Sequence, residues 1–148
     1  MQTNIRCLGH ILNEEGIQPD PDKVEAILNT KMTSNRKELK SFLGLIGYYR
    51  KFIQDFARIA EPLNKLLKKG VRYKWTESCS EAVNKFKQII TQEITLQHPD
   101  FSKSFKITTD ASHQKIGAVL SQNLDGHDRP IAFYSRTLTD AETRYSTF

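Results

Sequence analysis

The stretch FKITTDASHQKIGAVLSQ, residues 105–122, decides the fold of the second half of the chain. Apolar and polar side chains alternate from Phe105 onward, which is the period of a β-strand, and this strand carries Asp110 near its end. A second strand is predicted near 116–124 and a third at 130–136, because the Asp-Gly pair between them is a hairpin signal. A carboxylate in this position is a candidate metal ligand, although a two-metal site needs several.

The residues before this sheet predict a short hairpin and then helices. NIRCLGHILNEEGIQPD, residues 4–20, has apolar runs on both sides of Gly9 and a turn signal at NEEG, which predicts the hairpin. Capping patterns predict four helices: Asp22 to about Asn29, Asn35 (in a capping box with Glu38) to about Ile53, about Phe56 to Lys69 with Gly70 as C-cap, and Thr76 or Ser78 to about Glu93. The chain therefore divides near residue 98 into a helical half and a β half.

Composition and charge exclude several classes of protein. The 38% hydrophobic and 26% charged content of the 148 residues is typical of a soluble globular protein, and no apolar run approaches the roughly 20 residues of a membrane span. The first residues lack the order of a secretion signal, and the isolated Cys7 and Cys79 are interpreted as reduced thiols of an intracellular protein. Residues 31–75 carry twelve Lys or Arg and three Asp or Glu, which suits either a polyanionic partner or a solvated helix face.

The helix predicted from Asn35 has two different faces. Six apolar residues share one broad side of the helical wheel: Leu39, Phe42, Leu43, Ile46, Tyr49 and Ile53. A smooth strip with flanking positive charge, which we call the glycine strip, lies opposite and consists of Lys40, Gly44, Gly47 and Lys51, with Tyr48 at its edge. Each glycine costs about 1 kcal/mol in a helix. A nucleic-acid minor groove and close packing against another helix explain the strip equally well at this point.

Four blocks of sequence follow one another in a recognisable order: LGHILNEEGIQPDPDKVEAI, KELKSFLGLIGYYRKFIQDFARIAEPLNKLLKK, HPDFSKSFKITTDAS, and the pair IGAVLSQ and RPIAFYSRTL. Together they resemble the Pol polyprotein of Gypsy-class LTR retrotransposons over essentially the whole chain. The resemblance implies the end of a reverse transcriptase with an α+β fold. Its parts are a primer-grip-like β-hairpin at 1–21, a thumb-like helical bundle at 22–97, and the truncated N-terminal part of an RNase H-like domain at 98–148, an antiparallel three-stranded sheet.

The resemblance implies roles for residues in two of these parts. Leu8, Gly9 and His10 match a primer-grip hairpin, which steadies the 3′ end of a primer. Asp110 matches the first of four carboxylates that hold two Mg²⁺ ions in RNase H.

A third role falls on the glycine strip. Lys40, Gly44 and Tyr48 match positions of the thumb helix that lies along the minor groove of the template–primer duplex. The resemblance therefore favours duplex contact over close packing for the strip as a whole, which includes Gly47 and Lys51.

The sequence departs from the catalytic pattern of this family. It contains no Y-x-D-D motif, and the resemblance puts the palm aspartates before its first residue and three RNase H carboxylates beyond Phe148. Asp125 and Asp128 are explained by the hairpin turn, and Glu142 by a capping box with Thr139. A single carboxylate should bind Mg²⁺ only weakly, so no tightly held cofactor is expected.

Three functions remain open. The favoured one is a catalytically incomplete part of a reverse transcriptase that binds RNA–DNA or DNA duplex without sequence preference, in the cytoplasm, a retroelement particle or the nucleus. The second is a working part of an RNA-directed DNA polymerase and ribonuclease H, and the third is an inert or protein-binding remnant. No membrane partner is expected.

A further expectation concerns the sheet. Its predicted apolar face, formed by Phe105, Ile107, Val119 and Phe133, is expected to drive self-association unless the helix near 79–93 shields it.

Overall fold

The computed structural model of the protein describes residues 4–31, 35–92 and 94–144, and these contain two antiparallel sheets with helices between them. The first sheet consists of β1 (Ile5–Cys7), β2 (His10–Asn13) and β3 (Gly16–Pro19), in that order. β1 and β2 form the predicted hairpin. The predicted turn at Asn13 leads into the third strand, because its side chain accepts hydrogen bonds from the amides of Glu15 and Gly16, both at 3.0 Å.

Helices form most of the middle of the chain. The described helices are α1 (Pro21–Leu28), α2 (Arg36–Tyr48), α3 (Phe56–Ile59), α4 (Glu61–Leu67) and α5 (Glu77–Thr91), with a 3₁₀ turn at Arg50–Phe52. Asn35 caps α2 as predicted, since its side chain accepts from the amide of Glu38 at 3.0 Å. Asp20 rather than Asp22 caps α1, because Pro21 fits the first turn of a helix. The helix end predicted at Glu93 lies outside the described residues.

The helix predicted from Asn35 to about Ile53 is shorter than predicted. α2 ends at Tyr48 and not near Ile53, and the chain continues as a 3₁₀ turn. Tyr49, Phe52 and Ile53 are all buried. The tighter 3₁₀ winding brings residues three apart onto one face, so it places Tyr49 and Phe52 together in the core.

The helix predicted from Phe56 to Lys69 is divided in two. α3 and α4 meet at Ala60, because Pro62 has no amide hydrogen to continue the first helix and fits the first turn of the second. α4 then ends at Leu67, and Gly70 lies in the turn that follows with a φ of +80°. No described helix has the length and apolar character needed to cross a membrane.

One hydrophobic core joins these helices. The apolar face predicted for α2 supplies Leu39, Phe42 and Ile46, which are buried, and the partly buried Leu43 packs against them. The core is completed mainly by residues of α4 and α5 and their neighbours: Ile59, Ala60, Leu63, Leu66, Cys79, Ala82, Val83, Phe86 and Ile90. The strip side of α2 is therefore the side that faces away from the core.

The second sheet has the predicted order. β4 (Lys106–Ala111), β5 (Lys115–Leu124) and β6 (His127–Thr137) pair as consecutive antiparallel strands. Asp125 and Gly126 both have positive φ, 51° and 82°, which is the geometry of a two-residue hairpin turn. The predicted turn between β5 and β6 is therefore confirmed.

The apolar residues predicted for one face of this sheet lie on two faces. Val119 pairs with Thr108 and Phe133, whereas Ile107 pairs with Leu120, and paired residues of antiparallel strands point the same way. Phe133 packs against the helical core, while Ile107 is 67% exposed. The prediction was wrong because it used the alternation of side chains within each strand and did not consider which residues of β4 and β5 lie opposite each other.

The main helical neighbours of β6 are α3 and the 3₁₀ turn, whereas the helix near 79–93 is the one considered from the sequence. Arg50 donates to the Ser135 carbonyl at 2.6 Å, and the Ala57 amide donates to the Ser135 hydroxyl at 2.9 Å. These contacts, one partly buried and one buried, fix the sheet to the segment that follows α2.

A short segment ties the two sheets together. Ile17 in β3 and Leu96 exchange backbone hydrogen bonds of 2.8 and 2.9 Å, and the amide of Gln97 donates to the Pro130 carbonyl in β6 at 2.8 Å. The first sheet, the segment around Leu96 and the second sheet therefore form one hydrogen-bonded connection.

Glu61 fixes α4 to β5 and predicts a pH effect on stability. Hydrogen bonds from Lys115 and Lys65 lower the pKa of its carboxyl from 4.5 to about 2. A lowered pKa in the folded state adds stability that is complete above pH 4.5 and is lost as the pH falls towards 2. We expect the difference in free energy of unfolding between the protein and Glu61→Gln to be constant above pH 5 and to shrink below it. Denaturant titrations from pH 2.5 to 7 measure this, and a pH-independent difference would contradict the assignment.

Candidate nucleic-acid interface

The glycine strip lies open on the surface of α2. An added Cβ at Gly44 or Gly47 would meet no atom of the described residues within 4 Å. Lys40 is exposed beside them, and Tyr48 at the edge is 52% exposed. Within the described chain, close packing against another helix therefore does not explain the two glycines.

The helical wheel placed Lys51 in the helix that begins at Asn35. In the structure Lys51 lies instead in the 3₁₀ turn that follows α2. Its ammonium lies 5.2 Å from the centre of the Phe52 ring, and partial burial lowers the pKa of Lys51. The lysine remains partly exposed at the end of the strip. The strip thus runs from Lys40 to the end of the helix and continues onto the turn.

The hairpin between β1 and β2 is fixed to the end of this strip. Leu8 and Gly9 both have positive φ, 48° and 72°, and so form a two-residue turn. The Tyr48 hydroxyl donates to the Leu8 carbonyl, and the Tyr49 hydroxyl donates to the Gly9 carbonyl at 2.9 Å. The turn predicted to resemble a primer grip is therefore held directly beside the edge of the glycine strip.

Leu8 in this turn and His10 directly after it are oriented differently. Leu8 is 83% exposed, whereas the His10 ring packs against the rings of Tyr48, Tyr49 and Phe52 at 5.3 to 5.7 Å. His10 Nδ1 donates to the Leu8 carbonyl at 2.9 Å, which leaves Nε2 as the unprotonated nitrogen, without a partner among the described residues. Burial and the charge of Lys51 lower the pKa of His10. His10 is thus a neutral residue that supports the turn, and Leu8 is its projecting side chain.

Asp110 lies in β4, opposite Gly117 in β5. It lines a cavity of about 120 Å³ together with Asp55 and Arg58 from the α3 region and Lys115 from β5. Asp55 is ion-paired to Arg58 at 2.7 Å. The structure therefore brings one further carboxylate near Asp110, but with two positive charges in the same cavity.

These residues do not fit the two-metal centre that the resemblance implies. Mg²⁺ requires several oxygen ligands to replace its water, and Asp55, the other carboxylate of this cavity, is already ion-paired to Arg58. In the described ranges no group of three or more His, Cys, Asp or Glu side chains could hold a metal ion.

The other acidic candidates have structural roles, but Asp128 lies in β6 and not in the predicted turn, which Asp125 and Gly126 form. Asp128 pairs with Lys106 beside the hairpin turn. Glu142 accepts from the Thr139 amide at 2.8 Å and from Arg136 at 2.7 Å, which lowers its pKa to about 2. The capping box of Thr139 and Glu142 is confirmed.

Sequence reasoning missed the residues that join the two halves. Arg50 lies over the rings of Phe56 and Tyr134, at 5.4 and 5.8 Å, in addition to its bond to Ser135. Tyr49 was predicted as core only, yet it also holds the hairpin. Apart from Phe56, these partners lie 40 to 85 residues away and leave no local pattern that could have revealed them.

The sequence matches a known family in its second half. Residues 75–148 match the family described as "RNase H-like domain found in reverse transcriptase". The chain is 49% identical over 140 residues to the "Retrovirus-related Pol polyprotein from transposon 297" of Drosophila melanogaster, covering 94% of this chain and 13% of that protein. It is 40% identical over 146 residues to the "Transposon Tf2-3 polyprotein" of Schizosaccharomyces pombe, covering 98% of this chain and 11% of that protein. The chain thus spans a small part of these relatives.

The fold is similar to that of solved reverse transcriptases. The foamy viral protease-reverse transcriptase "dRH in complex with ds DNA" has a TM-score of 0.82 at 23% identity, over 99% of this chain and 26% of that one. The foamy viral protease-reverse transcriptase in complex with RNA/DNA hybrid has a TM-score of 0.81 at 23% identity, over 97% of this chain and 20% of that one.

At this level of identity the structural similarity supports the fold, and the sequence matches supply the family. Helices between two antiparallel sheets, the match of residues 75–148 and the transposon relatives agree with one another. The chain belongs to the RNase H-like family found in reverse transcriptases and corresponds to a segment of retrotransposon Pol polyproteins, consistent with the Gypsy class.

Proposed function

We propose that this chain binds the backbone of a template–primer or RNA–DNA duplex through the glycine strip of α2, as part of a retrotransposon reverse transcriptase. The observation that carries the proposal is the open space above Gly44 and Gly47, where an added Cβ would meet no described atom within 4 Å. The two glycines cost the helix about 1 kcal/mol each, and a duplex that approaches the backbone closely gives them a purpose.

The surroundings of the strip support the same partner. Lys40 is exposed and Lys51 is partly exposed, so both ammonium groups are available to the phosphates that line a groove. The turn with Leu8 at its tip is fixed beside the strip by two tyrosine hydroxyls. In this proposal Leu8, Gly9 and His10 form a rigid support next to the bound duplex, with Leu8 projecting towards it.

A second candidate concerns the activities of the whole polyprotein, RNA-directed DNA synthesis and RNA strand cleavage. The exposed position of Asp110 on β4 favours it as the first ligand of an RNase H centre in the parent protein, with the other ligands supplied from outside the described residues. For the described residues alone we propose duplex binding without cleavage, inside the cell that hosts the element.

Removal of the two strip lysines tests duplex binding. With about four phosphate contacts, duplex affinity should fall on the order of 100-fold between 50 and 200 mM salt. Lys40→Ala combined with Lys51→Ala removes two of these contacts, so the fall should shrink to about tenfold. Fluorescence anisotropy with a labelled RNA–DNA hybrid measures both slopes.

The matched control is Lys85→Ala combined with Lys103→Ala, which removes the same charge from α5 and from the loop before β4. It should retain the steep slope of the parent protein. If the strip variant binds like this control, the lysines are only solvated and an inert or protein-binding remnant becomes the better interpretation.

A further inference from the structure

A second basic surface lies next to the strip, in the connection between α4 and α5. Residues 68–74, KKGVRYK, which we call the basic loop, contain four cationic residues and no acidic one. All four are exposed, and no acidic side chain in the described part of the chain forms an ion pair with any of them: Lys68, Lys69, Arg72 and Lys74. This concentration of unpaired charge is costly for the folded state on its own.

The basic loop is held in a fixed conformation. The Arg36 guanidinium donates to the Lys68 carbonyl at 3.3 Å and also to the Val71 carbonyl. At the other end, Tyr73 and Trp75 pack against the hydrophobic core, and the Trp75 indole donates to the Ser80 hydroxyl at 2.9 Å. A loop that is already ordered loses less conformational entropy when it binds a partner.

The same packing decides where the charges point. Tyr73 and Trp75 alternate with Arg72 and Lys74, so the aromatic rings face the core and the cationic groups face solvent. The loop therefore presents its charges outward on a rigid base.

Arg36 also fixes the loop relative to the glycine strip. Arg36 and Lys40 are four residues apart in α2, so their side chains lie on the same face of the helix. The loop that Arg36 holds is thus at the N-terminal end of the strip. From Lys40 to Gly47 the strip is about 10 Å long, so a duplex lying along it would reach the loop within about four base pairs.

We propose that the basic loop is a second anchor that binds backbone phosphates of the duplex held by the glycine strip. The inference rests on the proposed function and extends it, since the duplex would be contacted at two places along its axis. The ligand is the phosphate backbone of a nucleic-acid duplex. Phosphates carry no sequence information, so this contact is independent of sequence.

The test is the fourfold variant Lys68→Ala, Lys69→Ala, Arg72→Ala and Lys74→Ala. It should keep the fold, because Arg36 binds main-chain carbonyls that the variant retains. Because the variant can no longer bind at least two of the phosphates, the slope of log affinity against log salt should become shallower by about 2 on a 20-base-pair hybrid. Affinity at 100 mM salt should fall by about tenfold or more.

A control variant with the same net charge separates local binding from a general charge effect. It carries four substitutions outside the loop: Lys85→Ala, Lys103→Ala, Arg129→Ala and Arg144→Ala. An equal loss in this control would overturn the proposal. So would an unchanged slope in the loop variant, or loop-dependent binding to vesicles of phosphatidylcholine and phosphatidylserine with duplex binding unaffected. If the loop variant loses affinity but the variant lacking Lys40 and Lys51 does not, the loop anchor stands and the strip proposal fails.

Discussion

Gly16→Ala should destabilise the protein by about 4 kcal/mol, which is an exceptional loss for the addition of one methyl group. An added Cβ at Gly16 would lie 2.1 Å from the Leu96 carbonyl oxygen and 3.0 Å from the Leu96 carbonyl carbon. Because both are backbone atoms, no side-chain rotation relieves the clash. The φ of +145° at this glycine adds backbone strain. The paired hydrogen bonds between Ile17 and Leu96 would break, and with them the connection between the two sheets.

Urea denaturation of the protein and of Gly16→Ala measures this loss, and Gly70→Ala is the matched control. Gly70 also has a positive φ, 80°, but an added Cβ there would meet no described atom within 4 Å. The control should therefore lose only about 1 kcal/mol, from backbone strain alone. Equal losses in the two variants would show that the close approach of Leu96 does not hold the first sheet in place.

Most of the elements could be predicted from local pattern. The alternation after Phe105 predicted β4, and the cap at Asn35 predicted the start of α2, because both signals involve neighbouring residues. The ends of helices were less predictable. α2 ends at Tyr48 because the next residues form a 3₁₀ turn that buries Tyr49 and Phe52. The residues that pack around this turn are distant in sequence, so local pattern does not reveal where the helix ends.

The candidate site could be predicted in part. The wheel of α2 separated the buried face from the strip, and the structure leaves Gly44 and Gly47 open as the duplex interpretation requires. The roles of Lys40, Tyr48, Lys51 and Asp110 remain predictions. The division of the chain into three parts, after residues 21 and 97, also remains a prediction. The contact of Tyr49 with Gly9 and of Arg50 with Ser135 could not be read from sequence, since each spans 40 or more residues.

Gly44→Leu should abolish most duplex binding while the protein stays folded. The new side chain would project into the open space over the strip and keep the duplex from the helix backbone. We expect a loss of about 2 kcal/mol in binding free energy, which is about 30-fold in affinity. Leucine has a better helix propensity than glycine by up to about 1 kcal/mol, so the free energy of unfolding should not fall. Asn84→Leu, on the exposed side of α5, is the control for an added surface leucine.

The affinity of Gly44→Leu for an RNA–DNA hybrid, measured together with its free energy of unfolding, tests the central claim most directly. Duplex contact through the glycine strip predicts a loss of about 30-fold in affinity, with stability equal to or above that of the parent protein, and no loss of affinity for Asn84→Leu. Unaltered affinity in a folded Gly44→Leu protein would contradict the account, because the duplex would then bind elsewhere.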